Sequence, residues 1–427
     1  MRLSGYARYA IVLLLLGAGL RVALFWVNPP QNVFDDHLEP IQLAMEWGEL
    51  PPKNACWQCY QPPVFYYLSA KLGNLAVGLG ADRPELLKIL QSVSCIAGIL
   101  GLAVIALILG RTGLCRTAKL ASLATACFLP RHVYMSAMHS NNTLTYLWVA
   151  VTVYLLILAV DRRFSVRWLF AVGIFATLAV LTRYTGFVVL PMIGLVLVLP
   201  KVRRSAGSRG RFARGMAAAL LLPVASLALY SVLSLQRYGE VLPWNAALMD
   251  PSLSQPRPVG GLRYADFRPW QTIRTPILAP DNIGSFWTLI HSRAWFDVEP
   301  TYLYLGEARR WVDHEAWMRG AKPFPNVSPL SKVAHGFGSL LIALGLLPLV
   351  LAVTGCLRSV VGRWSAWRGP PWHAIFPLLA FFSLLGILLL AIRVPVFSAI
   401  KAAYVLNALP AFAFFVGVGI TSLVRWP

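Results

Sequence analysis

Apolar stretches close to the ~20 residues a helix needs to cross a bilayer recur along the whole chain. They fall at roughly 10–27, 88–110, 118–138, 143–160, 167–184, 186–200, 214–235, 333–355, 373–392 and 402–423. The pattern predicts an all-α integral membrane protein, a bundle of about ten spans forming a single membrane domain over residues 1–427. The fifth and sixth spans are short and meet at Arg183-Tyr184, a turn that dips toward the membrane on this reading. Two long polar segments interrupt the bundle, at about 28–86 and 236–332. Within the first, residues 64–80 are apolar but short and broken by Lys71 and Gly73, which predicts a helix lying at the interface. The second is rich in Pro, Tyr and Trp (Trp244, Trp270, Trp287, Trp295, Trp311 and Trp317). That content suits headgroup depth and also sugar stacking. Leu303 to Gly320 reads as one more surface helix. No repeat or low-complexity tract is evident.

Composition agrees: 57% of residues are hydrophobic and only 13% charged, about half the charged fraction of a soluble chain. The net charge of +21 would suggest nucleic acid in a soluble protein, but its placement argues against that. With the N-terminus inside, the cytoplasmic turns carry Arg111/Arg116/Lys119, Arg162/Arg163/Arg167, Lys201 to Arg214 and Arg358/Arg363/Arg368. Asp161 is the one acid among them, and every other Asp and Glu falls on the outer side. This is the asymmetry of a multi-pass protein with both termini cytoplasmic. Arg2 and Arg8 precede the first apolar run, and no small-residue cleavage site follows, so that run reads as an uncleaved span. Arg21 within it reads as snorkelling to headgroups.

The first outer loop gathers candidate chemistry. Asp35 and Asp36 follow the first span directly. Adjacent carboxylates repel and are costly near hydrocarbon, so a use for them is expected. Asp36-His37-Leu38-Glu39 fits a capping box for an amphipathic helix, which leaves Asp35 unexplained. A carboxylate there could serve as general base toward a hydroxyl, or the two could hold a divalent cation, magnesium or manganese. His37 could assist either way, and a histidine beside acids is more often a hydrogen-bond partner. Cys56 and Cys59 lie outside, where thiols oxidise, and a disulfide is the favoured reading. Zinc held by both cysteines and His37 would lack a fourth ligand. Asn141-Asn142-Thr143 and Asn326-Val327-Ser328 match glycosylation acceptors, a motif too common to carry weight.

Several motifs combine. The acidic pair is followed by an amphipathic helix ending Gly48-Glu49-Leu50-Pro51, then Gln61-Pro62-Pro63-Val-Phe-Tyr66-Tyr67. Further along come Phe128-Leu-Pro130-Arg131-His132-Val-Tyr134-Met-Ser136 running to Ser140-Asn141-Asn142, then Leu181-Thr-Arg183-Tyr184-Thr-Gly186, and Lys401-Ala-Ala-Tyr404-Val-Leu-Asn407-Ala-Leu-Pro410. From about residue 10 to 423 the chain resembles the GT-C glycosyltransferases, nearest the protein-mannosyltransferase and aminoarabinose-transferase group. It departs from the pattern at Asp36, Thr143, Arg183 and Asn407.

The resemblance implies transfer of a sugar from a polyprenyl-phosphate carrier to a lipid, glycan or protein acceptor on the outer face of a bacterial inner membrane. Asp35 would be the base and Asp36 its acidic neighbour. A departing lipid phosphate needs cations where water is scarce. Arg183, Lys401 and Arg393 fall at predicted outer ends, as do Arg131, His132 and His139. The substrate-binding set expected is His37, Tyr66, Arg131, His139, Asn142, Arg183, Tyr184 and Lys401. Inversion is expected because one base serves one displacement. No cofactor is required beyond the cation alternative, and no nucleic acid is a partner. Two rival classes are a transporter or flippase of lipid-linked sugars, which would place ionisable groups near mid-bilayer, and a lipid-sugar binder without catalysis.

Overall fold

The computed structural model describes residues 5–28, 30, 37–243, 262–276, 284–296, 330–361, 370–393 and 400–424. Among these the chain is helical, with one isolated bridge between Arg263 and Ser285. Its helices are α1 (Gly5–Val27), α2 (Leu38–Trp47), α3 (Val64–Gly78), α4 (Arg83–Arg111), α5 (Arg116–Phe128), α6 (Pro130–Ser136), α7 (Asn141–Asp161), α8 (Val166–Thr182), α9 (Val189–Val198), α10 (Pro200–Ser205) and α11 (Arg209–Tyr238). Beyond the second long loop's start come α12 (Pro269–Arg274), α13 (Phe286–Trp295), α14 (Leu330–Leu344), α15 (Leu346–Val361), α16 (Ile375–Arg393) and α17 (Leu409–Val424).

Among the described residues seven helical stretches are long and apolar enough to cross a membrane, and the protein is an integral, multi-pass membrane protein. They do not make up the expected ten. Val166–Thr182 and Tyr184–Val198 are apolar but shorter, and the expected third span is broken between α5 and α6. The break has a covalent cause. Pro130 has no N–H to continue the α5 ladder, and its ring disfavours helical backbone at Leu129, which sits at φ −63°, ψ 111°. The carbonyl of Cys127 is left without its helical partner, and Arg21 supplies one. The Arg21 guanidinium donates to Cys127 O at 2.9 Å and to Gly17 O at 2.8 Å, and meets His132 Nδ1 at 2.6 Å. Arg21 is fully buried. It is therefore not a snorkelling residue but a plug in the break, and it draws His132 away from any role at the outer surface.

Small residues let the helices approach closely, as packing inside a bilayer requires. A Cβ on Gly355 of α15 would lie 1.9 Å from the Phe415 carbonyl of α17, and one on Gly419 of α17 would lie 2.2 Å from the Leu351 carbonyl. Gly173 of α8 meets the Ala218 carbonyl of α11 at 2.5 Å in the same sense. The core runs through α7, with Val149, Val153 and Leu156 fully buried against α8, α9 and α17. Phe376 and Phe414 stack with centroids 4.0 Å apart.

Charge sorts by end. Arg111 lies 4.0 Å from Asp161, so the lone acid of the basic turns faces a cation of another turn. Arg116, Arg162 and Arg203 lie over the rings of Tyr9, Trp168 and Phe212. At the other end α3 leaves Tyr67, Leu75 and Val77 exposed while Phe65, Tyr66 and Ala70 are buried, a one-sided helix suited to an interface. Leu303 to Gly320, Trp244, Trp311, Trp317 and Asn326-Val327-Ser328 lie outside the described residues.

Candidate functional site

The first loop enters the bundle through α2. That helix begins at Leu38 with His37 in the N-cap position, and the His37 side chain makes no capping bond. The helix thus begins one residue later than expected for a box with Asp36 as cap and Glu39 as its third residue, and Asp36 itself lies outside the described residues. The capping box that does form is Asp82 with Glu85, at the head of α4. Asp35 and Asp36 lie outside the described residues. Gly48 ends α2 at φ 71°, a left-handed cap that glycine takes without steric cost. A disulfide joins Cys56 and Cys59, which removes both sulfurs as zinc ligands for a site with His37. Pro62 and Pro63 then give way to α3, whose buried face presents Tyr66.

Tyr66 is the junction of a directed chain. The Arg183 guanidinium donates to Asn141 Oδ1, Asn141 Nδ2 lies 3.5 Å from the Tyr66 hydroxyl, and that hydroxyl lies 2.7 Å from His37 Nδ1. A guanidinium can only donate, so it turns the oxygen of Asn141 toward itself and the amide nitrogen toward Tyr66. Tyr66 accepts there, and its hydroxyl shares a hydrogen bond with His37 Nδ1 whose direction follows the imidazole tautomer. All four side chains are buried. Burial, followed by the positive charges of Arg183 and Lys401, holds the His37 pKa well below 6.5. Arg183 also lies 5.1 Å over the ring of Tyr404, and Asn407 Nδ2 donates to the Thr185 carbonyl at 2.8 Å.

A second set of tyrosines ties the loop down. The Tyr184 hydroxyl lies 3.1 Å from the Tyr60 carbonyl, 3.0 Å from the Pro243 carbonyl and 3.0 Å from the Tyr230 hydroxyl. Lys53 pairs with Glu240 at 2.5 Å. The Tyr60 phenol is pushed up to about 12, first by burial and then by Tyr404, with Arg183 and Lys401 opposing. His37, Tyr60, Tyr66, Asn141, Arg183, Tyr404 and Lys401 therefore form one neighbourhood.

The other residues expected there are placed differently. Asn142 turns back on its own helix start, with Nδ2 donating to Ser140 Oγ at 3.0 Å, and its neighbour Asn141 reaches the cluster instead. Arg131 is buried and donates from Nε to the Arg293 carbonyl at 2.8 Å, while Arg293 donates to the Ile400 carbonyl at 2.5 Å. His139 is buried in the turn after α6, where burial lowers its pKa to about 4. Arg393 ends α16. Asn141, Tyr60 and Arg293 were not among the expected site residues. The only signal in the sequence was their place beside motif residues. Among the described residues no group of three His, Cys, Asp or Glu side chains gathers to hold a metal, and the Asp35-Asp36 alternative lies outside them.

The His37 environment has a measurable consequence. Folded His37 stays neutral where an unfolded histidine would bind a proton below about 6.5. The unfolded state thus takes up more protons as pH falls, and folding stability declines through that window. Replacing His37 with Gln is expected to flatten the loss of melting temperature between pH 7 and pH 5 relative to wild type, as followed by thermal unfolding in detergent. An unchanged slope would show that His37 is not held neutral.

Residues 61–229 match the family described as dolichyl-phosphate-mannose-protein mannosyltransferase. The match starts at Gln61 and takes in Tyr66, Asn141, Arg183 and Tyr184, whereas His37 and the aspartates precede it. No curated protein matches the sequence. Among solved structures, the chain is similar to the oligosaccharyltransferase of Archaeoglobus fulgidus in the apo form, with 13% identity and a TM-score of 0.48 over 97% of this chain and 50% of that one. It is also similar to ArnT of Cupriavidus metallidurans, in the apo state (14% identity, TM-score 0.39, 96% and 77% covered) and bound to undecaprenyl phosphate (16% identity, TM-score 0.38, 96% and 77% covered). The chain spans about half the length of the archaeal oligosaccharyltransferase chains it matches.

Proposed function

We propose that the protein is a membrane glycosyltransferase that moves a sugar from a polyprenyl-phosphate carrier to an acceptor hydroxyl on the outer face of a bacterial inner membrane, with inversion at the anomeric carbon. The observation that carries this reading is Arg183. It is buried, its Nη1 is committed to Asn141, and among the described residues its Nε has no acceptor and no carboxylate pairs with it. An unneutralised guanidinium beside Lys401 is a receptor for an anion. The family match adds that the segment carrying Arg183 belongs with enzymes described by a lipid-phosphate sugar, and the ArnT relative is a complex with undecaprenyl phosphate.

The chemistry follows from the groups present. Asp35 and Asp36 are the two residues before His37 in the sequence. Asp35 takes the proton of the acceptor hydroxyl, whose oxygen attacks the anomeric carbon as the bond to the phosphate oxygen breaks. Arg183 and Lys401 hold the phosphate as its charge grows. His37, neutral, is hydrogen-bonded through Nδ1 to Tyr66 within the site. Asp36 sets the field around Asp35. In sequence the acidic pair follows the first span rather than lying within one, which favours this over transport.

The test is transfer from a radiolabelled polyprenyl-phosphate hexose or pentose in proteoliposomes. Arg183→Met, close in length but uncharged, is expected to lower turnover by about 10²-fold, as loss of one donor to a developing oxyanion does, with binding of polyprenyl phosphate also weakened. Movement of labelled lipid across the bilayer with no covalent product, unaffected by Arg183→Met, would overturn the reading in favour of a flippase.

A further inference from the structure

At the basic end of the bundle, away from the His37 cluster, a groove of about 510 Å³ opens beside α10, α15 and α16. This lies within the range of about 300–1,000 Å³ typical of small-molecule sites. Its walls are apolar, with Leu199, Pro200, Val360, Pro377, Leu378 and Phe381 prominent. Val360 and Phe381 are more than half exposed, so the groove opens sideways, toward what would be hydrocarbon in a bilayer. Among the described residues that line it, Lys201 is the one charged side chain, and no carboxylate lines it. Lys201 belongs to the run that continues through Arg203 and Arg204, and Arg358 precedes the lining residue Ser359 on α15.

The two features select a ligand together. A soluble anion gains nothing from apolar walls, and a neutral chain gains nothing from Lys201. An amphiphile with an anionic head uses both, and basic pockets between helices on the positive side of a membrane protein recognise such lipids. We propose that this groove holds an anionic phospholipid, with one acyl chain lying between α15 and α16 and the phosphate at Lys201. The inference rests on the membrane assignment and not on the glycosyltransferase reading.

The full chain, reconstituted in nanodiscs of equal phosphatidylglycerol and phosphatidylcholine, would be released and weighed by native mass spectrometry. Phosphatidylglycerol should be retained in preference. Lys201→Glu should lower its retention roughly fivefold or more, about the factor in affinity that one basic charge near an anionic surface contributes, and Lys201→Arg should keep it. Cys356, which also lines the groove, gives a second readout in the wild-type chain: phosphatidylglycerol should slow its alkylation by a maleimide, whatever the folding of the variants. Equal retention of both lipids, retention unchanged in a folded Lys201→Glu chain, or protection of Cys356 by phosphatidylcholine as strong as by phosphatidylglycerol would each overturn the proposal and leave an ordinary lipid belt.

Discussion

Asp35→Asn is expected to lower sugar transfer by about 10³-fold while leaving binding of polyprenyl phosphate near its wild-type value. Asparagine keeps the shape of the side chain and loses its ability to take a proton, and general base catalysis contributes about 10² to 10⁴ in rate. Arg183, on its Asn141 tether, and Lys401 both keep their charge, so the carrier should still bind. Asp36→Asn should cost less, because a neighbour acts only through its field. The pair of measurements separates the base from a metal role. If both aspartates instead held magnesium or manganese, the two variants would fail alike and a chelator would abolish wild-type transfer. Full transfer by Asp35→Asn would remove that residue from the mechanism.

The largest effect on stability is expected at the crossing of α15 and α17. Gly355→Val would put a branched side chain where a single Cβ already stands 1.9 Å from the Phe415 carbonyl. Backbone cannot rotate out of the way as a side chain can, so the helices must separate. Overpacking typically costs about 1–3 kcal/mol, and this site should reach the upper end. Gly194→Ala on α9 is the control, since nothing lies within 4 Å of its Cβ position, and alanine favours helix. Thermal unfolding in detergent should show a large drop for Gly355→Val and none for Gly194→Ala. A wild-type melting temperature for Gly355→Val would mean that the two helices do not cross at this point.

The spans were legible because a bilayer allows little else: backbone groups in hydrocarbon must bond within their own helix, and apolar runs reveal where they do. The third span was misjudged although Pro130 was in view, because an apolar run masks a broken ladder when only hydropathy is weighed. Arg21 was misjudged for a different reason. A cation in an apolar helix can reach headgroups or a freed carbonyl, and only the packing of α5 against α1 decides between them. In the site, Arg183, Tyr66 and His37 stood out as polar residues inside motifs. Asn141 did not stand out from Asn142, because which amide faces inward depends on where α7 begins. The cap at His37 was similarly beyond reach, being a difference of one residue.

The docking of the first loop carries a consequence for biogenesis. Tyr60 is held by Tyr184 and Tyr230, and Lys53 by Glu240, partners 124, 170 and 187 residues further along. Chains emerge and insert from the N-terminus onward, so Lys53 and Tyr60 gain these ties one after another, the last of them only once α11 and Glu240 have been made. The fastening of the first loop is therefore completed late in translation, and a ribosome stalled before Tyr230 would leave inserted helices with that loop only partly secured.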